Sequence, residues 1–419
     1  LSLAAAPDDI LAGRGQLRLG GGLARLPTQK GLRVVGRLHQ LDLERWQALL
    51  QRYTVPEQEG MQFLHSAKLD IRRMQGFGLD IANLKVDMRP QRQGWQLELE
   101  SQQLKGRISD LGAGQPLQLK LAHLRLPAAH KTQETAQDAL ADFDPHSIPA
   151  LNIQVDSVFM GDTHLGALAL HARPQAYGVL FDQLNISLKG LNVEGQLGWQ
   201  RENGRLRSWY KGRLSGENMA DVLKAWKFAP SISSQNFRVD ADLRWPGSPA
   251  AFNLDTLSGA AQVQFRKGQM TSVDGSAQAL RVFGLLNFDS IGRRLRLDFS
   301  DLFGKGLAYD RIKGQVQIEQ GVYRTQTPLI LEGPSSNFEL QGQLNLLSDQ
   351  VEATLLVTLP LTNNLPLAAI AIGAPAVGGA LFLVDRLIGD RLSRFASVTY
   401  HISGDWQHPD ISLIKKPSS

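Results

Sequence analysis

Apolar and polar residues alternate along most of this chain, so strands with one apolar and one polar face are the elements it predicts. Trp95, Leu97 and Leu99 share one parity, as do Leu117, Leu119 and Leu121, then Leu151, Ile153 and Val155. Leu184, Ile186 and Leu188 form another such face. Gly190 then breaks the parity, and Leu191, Val193, Leu197 and Trp199 continue in the opposite phase, which reads as a turn or bulge at the glycine. The alternation returns at Phe237, Val239, Ala241, Leu243 and Trp245; at Val263 with Phe265; and at Val316 with Ile318. It ends with Phe338, Leu340 and Leu344, then Val351, Ala353, Leu355, Val357 and Leu359. Such strands need apolar material on one side only.

Short helical stretches interrupt this pattern in matching contexts. Gly36-Arg37-Leu38 precedes a stretch near 42–50, and Gly212-Arg213-Leu214 precedes one near 218–227, a weak internal repeat. In the second, Asn218 suits an N-cap, while Met219, Val222, Leu223 and Trp226 make an apolar stripe; in the first, Asp42 suits the cap and Leu43, Trp46 and Leu50 face inward. Each reads as a helix covering the end of a sheet. Residues 127–149 are polar, with Asp144-Pro145 and Ile148-Pro149, and read as a linker or surface excursion.

The C-terminal third carries no charge from Ala353 to Val384. In length alone that would cross a bilayer, but Pro360, Pro366 and Pro375 with Gly373, Gly378 and Gly379 break any single straight helix. The expectation is a last alternating strand followed by apolar and amphipathic helices near 367–396. On the second of these, Leu381, Val384, Ile388, Leu392 and Phe395 form one face, and Arg386, Arg391 and Arg394 make the other locally basic. That suits insertion at a bilayer interface, a plug for the end of an open groove, or a packed core helix.

Composition narrows the functional classes. The 419 residues include 40 glycines and 19 prolines, many turn residues for a mostly β chain too long for one ordinary domain. The net charge of +5, from 45 basic and 40 acidic residues without a long like-charge block, is too mild to argue for nucleic acid. No cysteine is present, which excludes thiolate metal sites, disulfides and a cysteine nucleophile. The nine histidines, among them His39, His65, His123, His171 and His401, show no metal-ligand spacing, so neither metal nor cofactor is expected. Gly13-x-Gly15 lacks the third glycine of a dinucleotide loop. Asp289, Asp298, Asp301 and Asp310 lie near one another but alternate with Arg293, Arg294, Arg296 and Arg311, as solvent-facing strands do. The chain begins at Leu1 without methionine, signal peptide or membrane anchor, the expectation for a C-terminal portion of something longer.

Several longer motifs are more specific. They are Ala279-Leu280-Arg281-Val282-Phe283-Gly284-Leu285-Leu286, Arg293-Arg294-Leu295-Arg296-Leu297-Asp298-Phe299, Gly306-Leu307-Ala308-Tyr309-Asp310-Arg311-Ile312-Lys313-Gly314, Glu319-Gln320-Gly321-Val322-Tyr323-Arg324-Thr325 and Tyr400-His401-Ile402-Ser403-Gly404-Asp405-Trp406-Gln407-His408-Pro409-Asp410-Ile411. With the joint at Asp144 to Pro149 and Leu243 to Pro249, they make the chain resemble the C-terminal region of the YhdP / AsmA-like family of Gram-negative envelope bridge-like lipid transfer proteins.

The resemblance implies an elongated, curved and twisted, mostly antiparallel sheet forming an open apolar groove, with short covering helices and a C-terminal helical element. Phospholipid acyl chains would slide along it without enzymatic chemistry, from the inner membrane, held by an N-terminal anchor not in this sequence, across the periplasm to the outer membrane. The expected segments are a groove piece over 1–126, the excursion over 127–149, a second groove piece over 150–275, and an AsmA-like C-terminal segment over 276–419 with a helix near 276–287. The expected groove lining is Leu151, Ile153, Val155, Leu184, Ile186, Leu188, Leu191, Val193, Leu197, Val239, Leu243, Val263, Phe265, Val316, Ile318, Phe338, Leu340, Leu344, Val351, Leu355 and Val357. Leu381, Phe382, Leu383, Arg386, Ile388, Arg391 and Arg394 are candidates for membrane contact, and the molecule is expected to be a monomer. Two alternatives stay open: an envelope assembly scaffold that receives protein strands, and a hydrolase using Asp298 or Asp301.

Overall fold

The computed structural model describes residues 2–6, 9–43, 45, 64–76, 79–91, 94–112, 114–126, 138, 140–226, 230–271, 307–334, 336–361, 382–388, 391–406 and 409–414. It divides into two compact units. The first is Leu1–Leu188 with Gly195–Ser208 and Gly247–Ala251; the second is Lys189–Glu194, Trp209–Pro246 and Phe252–Ser419. The expectation of a mostly β architecture with mainly antiparallel strands holds in both.

Eleven strands in chain order build the first unit: β1 (Ser2–Ala6), β2 (Asp9–Leu19), β3 (Gly31–Asp42), β4 (Leu64–Gly76), β5 (Leu79–Gln91), β6 (Gly94–Glu100), β7 (Leu104–Asp110), β8 (Leu117–Leu126), β9 (Leu151–Met160), β10 (Thr163–Gln175) and β11 (Gly178–Leu188). Each pairs with the next, antiparallel except for β2–β3, β3–β4 and β8–β9. A parallel pair needs a crossover instead of a tight turn. The excursion at 127–149 is the crossover between β8 and β9.

Its described part is strapped to the first unit. Phe143 stacks on Trp199, ring centroids 5.3 Å apart, and Leu140, Phe143 and Ile148 pack on buried Ala172, Val179 and Trp199. The Arg201 guanidinium donates to the carbonyls of Ala141 and Phe143 at 2.8 and 3.0 Å. Asp138 accepts from the Ser248 amide at 2.8 Å, the Ser248 hydroxyl at 2.5 Å and the Leu140 amide at 3.1 Å. Burial pushes the Asp138 carboxyl up, but these hydrogen bonds outweigh it and hold the group below its usual range. A depressed native value gives stability that is present above the unfolded carboxylate value and lost as pH falls through the folded one. Asp138→Asn is therefore expected to cost about 1–2 kcal/mol at neutral pH, after allowance for solvent screening, and almost nothing in strong acid. Urea denaturation at two pH values measures it; equal losses at both would contradict the assignment.

β12 (Leu191–Glu202) and β13 (Arg205–Gly216) each have residues assigned to both units. Lys189 and Gly190 before β12 have φ of 48° and 80°, so the parity break is a tight turn with both central residues left-handed, the geometry for which glycine is suited.

The second unit contains β14 (Asn236–Pro246), β15 (Ser258–Met270), β16 (Leu307–Glu319), β17 (Val322–Glu332), β18 (Asn337–Asn345), β19 (Gln350–Leu361), β20 (Phe382–Ile388), β21 (Arg391–Asp405) and β22 (Asp410–Leu413). From β14 to β19 each pairs antiparallel with the next. β21 then lies against β19 along nearly its whole length, and its other side is shared end to end by β20 and β22. Gly259 in β15 has φ +132°, and a Cβ there would lie 2.0 Å from the Asp242 carbonyl oxygen on β14. Only glycine permits that close approach of two strands.

One α-helix is present among the described residues, α1 (Met219–Ala225). The Asn218 side chain accepts from the Ala220 amide at its start, and Lys189 Nζ donates 2.9 Å to the Ala225 carbonyl at its end. Met219, Ala220, Val222 and Leu223 are buried, so the apolar stripe faces the sheet. Of the helix expected near 42–50, the structure describes the beginning, where Asp42 Oδ1 accepts from the Arg45 amide at 3.0 Å; the remainder lies outside the described residues, as does the helix expected near 276–287.

The amphipathic helix expected toward 396 is corrected: its residues from Phe382 form β20 and the start of β21. Ile388 pairs with Arg391 across Gly389-Asp390, a hairpin-type sequence. The expected helical stripe of Leu381, Val384, Ile388, Leu392 and Phe395 runs across the boundary between β20 and β21, whereas Leu392, Ala396, Val398, Tyr400 and Ile402 share one parity and β21 pairs with a neighbour for its whole length. Of the membrane-contact candidates, Phe382, Leu383, Arg386 and Ile388 fall on β20, Arg391 and Arg394 on β21, and Leu381 outside the described residues.

Candidate functional site

In the second unit, strand register brings the alternating residues of distant segments into continuous rows. One row runs Phe237, Phe265, Ile312, Leu331, Phe338, Val357, Val398 from β14 through β19 to β21. Beside it, Val239 faces Val263, which faces Gly314 on its other side, and Leu329 continues through Leu340 and Leu355 to Tyr400. A third row joins Leu243, Gly259, Ile318, Tyr323, Leu344 and Val351. Ala261, opposite Ala241, faces Val316 between them. Every lining residue expected on these strands thus falls on one face.

That face is closely packed. Leu344 and Leu355 are 2% exposed, and Phe265, Phe338, Leu340, Val351 and Val357 are buried in the same cluster, with Met219, Val222 and Leu223 of α1 among them; Ile318 is buried as well. At the cluster's margin Tyr323 Oη donates 3.0 Å to the Leu254 carbonyl. Leu191 of β12 packs against this cluster, and Val193 is half-buried beside exposed Glu194.

The first unit repeats the arrangement with a more accessible surface. Leu117, Leu119 and Leu121 of β8 face Leu151, Ile153 and Val155 of β9, and β10 adds Ala172, Leu170 and Leu168 opposite those three. Leu168 in turn faces Ile186, and Gly166 faces Leu188. Val155 and Leu184 are buried, but Leu151, Ile153, Ile186, Leu188 and Leu197 remain half-buried. The row continues on the other side through Ile108, Leu97 and Met88. Leu168, Leu170 and the β5–β7 positions were not among the expected lining residues; an apolar alternation was their only signal, and a bulge between Ala169 and His171 interrupts it on the β10–β11 pair.

The opposite faces are charged. Asp240 accepts from Arg213 Nε at 2.9 Å and Arg238 Nε at 2.7 Å, and Asp242 pairs with Arg244 at 3.3 Å. The Arg238 hydrogen bond, with Arg213, holds the Asp240 carboxyl below its usual range against the opposing effect of burial. Such exposed pairs contribute little stability; they keep this side polar. Asp298 and Asp301 lie outside the described residues. Among the described residues no three His, Asp or Glu side chains gather as a metal site, and no helix is long and apolar enough to cross a membrane.

Comparison with known proteins agrees in one direction. A family model described as "YhdP protein" matches residues 6–411. A curated relative, "Intermembrane phospholipid transporter YhdP" of Escherichia coli (strain K12), is 29% identical over 228 residues, covering 54% of this chain and 18% of that protein. No solved structure matches the chain.

Proposed function

The chain belongs to the YhdP family, and on that premise we propose that it is part of a conduit for intermembrane phospholipid transport, its apolar face carrying acyl chains. The observation that supports this best is the set of in-register apolar rows, continuous from strand to strand within each unit and backed by a charged face. Each CH2 kept from water gains about 0.8 kcal/mol, so one acyl chain gains on the order of 10 kcal/mol on such a surface. No bond need be made or broken. The relative's printed name specifies intermembrane transport of phospholipid, and the match covers 18% of that relative. We therefore place this piece in the periplasm, as a monomer, toward the outer-membrane end. There the β20–β21 hairpin, with Phe382, Leu383, Arg386, Ile388, Arg391 and Arg394, meets the bilayer.

Native mass spectrometry of the purified chain, with identification of what leaves it on activation, is the test. Bound phospholipid is the expected result. Peptide in its place would overturn the reading in favour of an assembly scaffold.

A further inference from the structure

We propose that a pocket on the polar face of β3, β4 and β5 is a binding site for a phosphate group, as a monoester, a diester or the free ion. The crossover between parallel β2 and β3 lies on that face, since the Arg25 amide donates 2.5 Å to Oε1 of Gln16, a buried polar residue of β2 whose parity is opposite to inward Leu17. The crossover's last residues form one wall, tied to β4 by His65 Nε2 and Gln29 Oε1 at 2.8 Å. The open pocket has a volume of about 450 Å3 and is lined by Thr28, Gln29 and His65 and by four charged residues on neighbouring strands, Arg33, Lys68, Asp87 and Arg89.

The charges do not balance. Asp87 accepts two hydrogen bonds from Arg89, at 3.1 and 2.8 Å, which hold its carboxyl below the usual range against the effect of burial. Lys68 stands opposite Asp87 in the register, but its charge is a minor influence on that carboxyl. Glu98 follows Asp87 on β6 without lining the pocket. Among the described residues neither Arg33 nor Lys68 has a carboxylate within ion-pair distance. Their strands are adjacent, with Arg33 beside Ser66 and Val35 beside Lys68, so two like charges stand on one diagonal of a concave surface. Like charges in that relation repel, and an anion between them converts the repulsion into charge-assisted hydrogen bonds. The arginine fork suits two phosphate oxygens and the lysine a third. The volume exceeds a bare phosphate and leaves room for an attached glycerol-sized group. The site stands on the charged side of the sheet, independent of whatever occupies the apolar face.

Calorimetric titration of the full chain with inorganic phosphate, and separately with dihexanoyl phosphatidylglycerol below its micellar concentration, tests the proposal. Loss of two charge-assisted contacts in R33Q/K68Q is expected to weaken binding roughly tenfold or more, while R33K/K68R, which keeps both charges, retains most of it. Binding of both probes that is lost together assigns the site to phosphate in general; binding and loss confined to the lipid assigns it to a headgroup. Ile186→Asp, on the apolar face, should leave inorganic phosphate binding unchanged, so failure of the conduit reading would show separately. Wild-type affinity in R33Q/K68Q, or no binding of either probe to the wild type, overturns the proposal.

Discussion

Leu355→Asp is expected to unfold the second unit. Leu355 is 2% exposed and stands in register between Leu340 and Tyr400, near the middle of a sheet whose inner side is filled by the cluster that α1 completes. Truncation to alanine alone removes buried methyl groups and leaves a cavity, a loss of about 2–5 kcal/mol. A carboxylate adds the desolvation of an unpaired charge, for which the surrounding Leu340, Leu344 and Val357 offer no donor. Set against a domain stability of roughly 5–15 kcal/mol, that is enough to abolish the fold or leave it marginal. Gln341→Asp, one position along from Leu340 on exposed surface, is expected to change stability by no more than about 0.5 kcal/mol. Chemical denaturation followed by tryptophan fluorescence decides between them. A Leu355→Asp protein with an unchanged midpoint would mean that this face is open to solvent and the packing described above is wrong.

One-sided burial explains why so much of the architecture was legible. A strand covered on one face writes its orientation into every second residue, so Leu184, Ile186 and Leu188, or Val351, Leu355 and Val357, declare their common face without reference to any partner. Register is a different kind of information. Nothing local says that Leu340 meets Leu355 and not Val357, because a shift of two residues keeps the same face inward. The parallel pairs were hidden for a related reason: β2–β3 and β8–β9 are joined by crossovers whose polar sequence resembles a linker. Residues 138–149 carry aspartates and prolines like a free excursion, yet Phe143, Leu140 and Ile148 spend their apolar surface on Trp199 and Val179, contacts made with residues far along the chain. At the C-terminal end a short apolar run matches both periods, and the dipeptide Gly389-Asp390, a hairpin-type sequence, is the local signal that favours strands. The pocket at Arg33, Lys68 and Arg89 left no sequence trace, because three cations on three strands form a cluster only once the register is known.

The half-buried part of the apolar face is where lipid should be lost without loss of the fold, and Ile186→Asp is the substitution that separates the two effects. Ile186 faces Leu168 across β10 and β11 but is not sealed as Leu355 is, so an aspartate there can reach water at one edge and costs stability less than in the packed cluster. For an acyl chain lying on Leu151, Ile153, Leu168 and Leu188 the same carboxylate places a hydrated charge in its path. Losing even about 3 kcal/mol of contact weakens retention by roughly a hundredfold. Ser187, the next residue, is exposed on the charged side, and Ser187→Asp should bind lipid as the wild type does. A photoreactive amino acid at Ile153, Ile186 and Leu188 should form lipid adducts, and at Asn185, Ser187 and Glu194 it should not. The parity makes the contrast sharp, since Ile186 and Ser187 are neighbours in sequence and differ only in the face they present. Equal adducts at both sets would place lipid on the outside of the sheet and remove the physical basis of the conduit, whatever the fate of the fold.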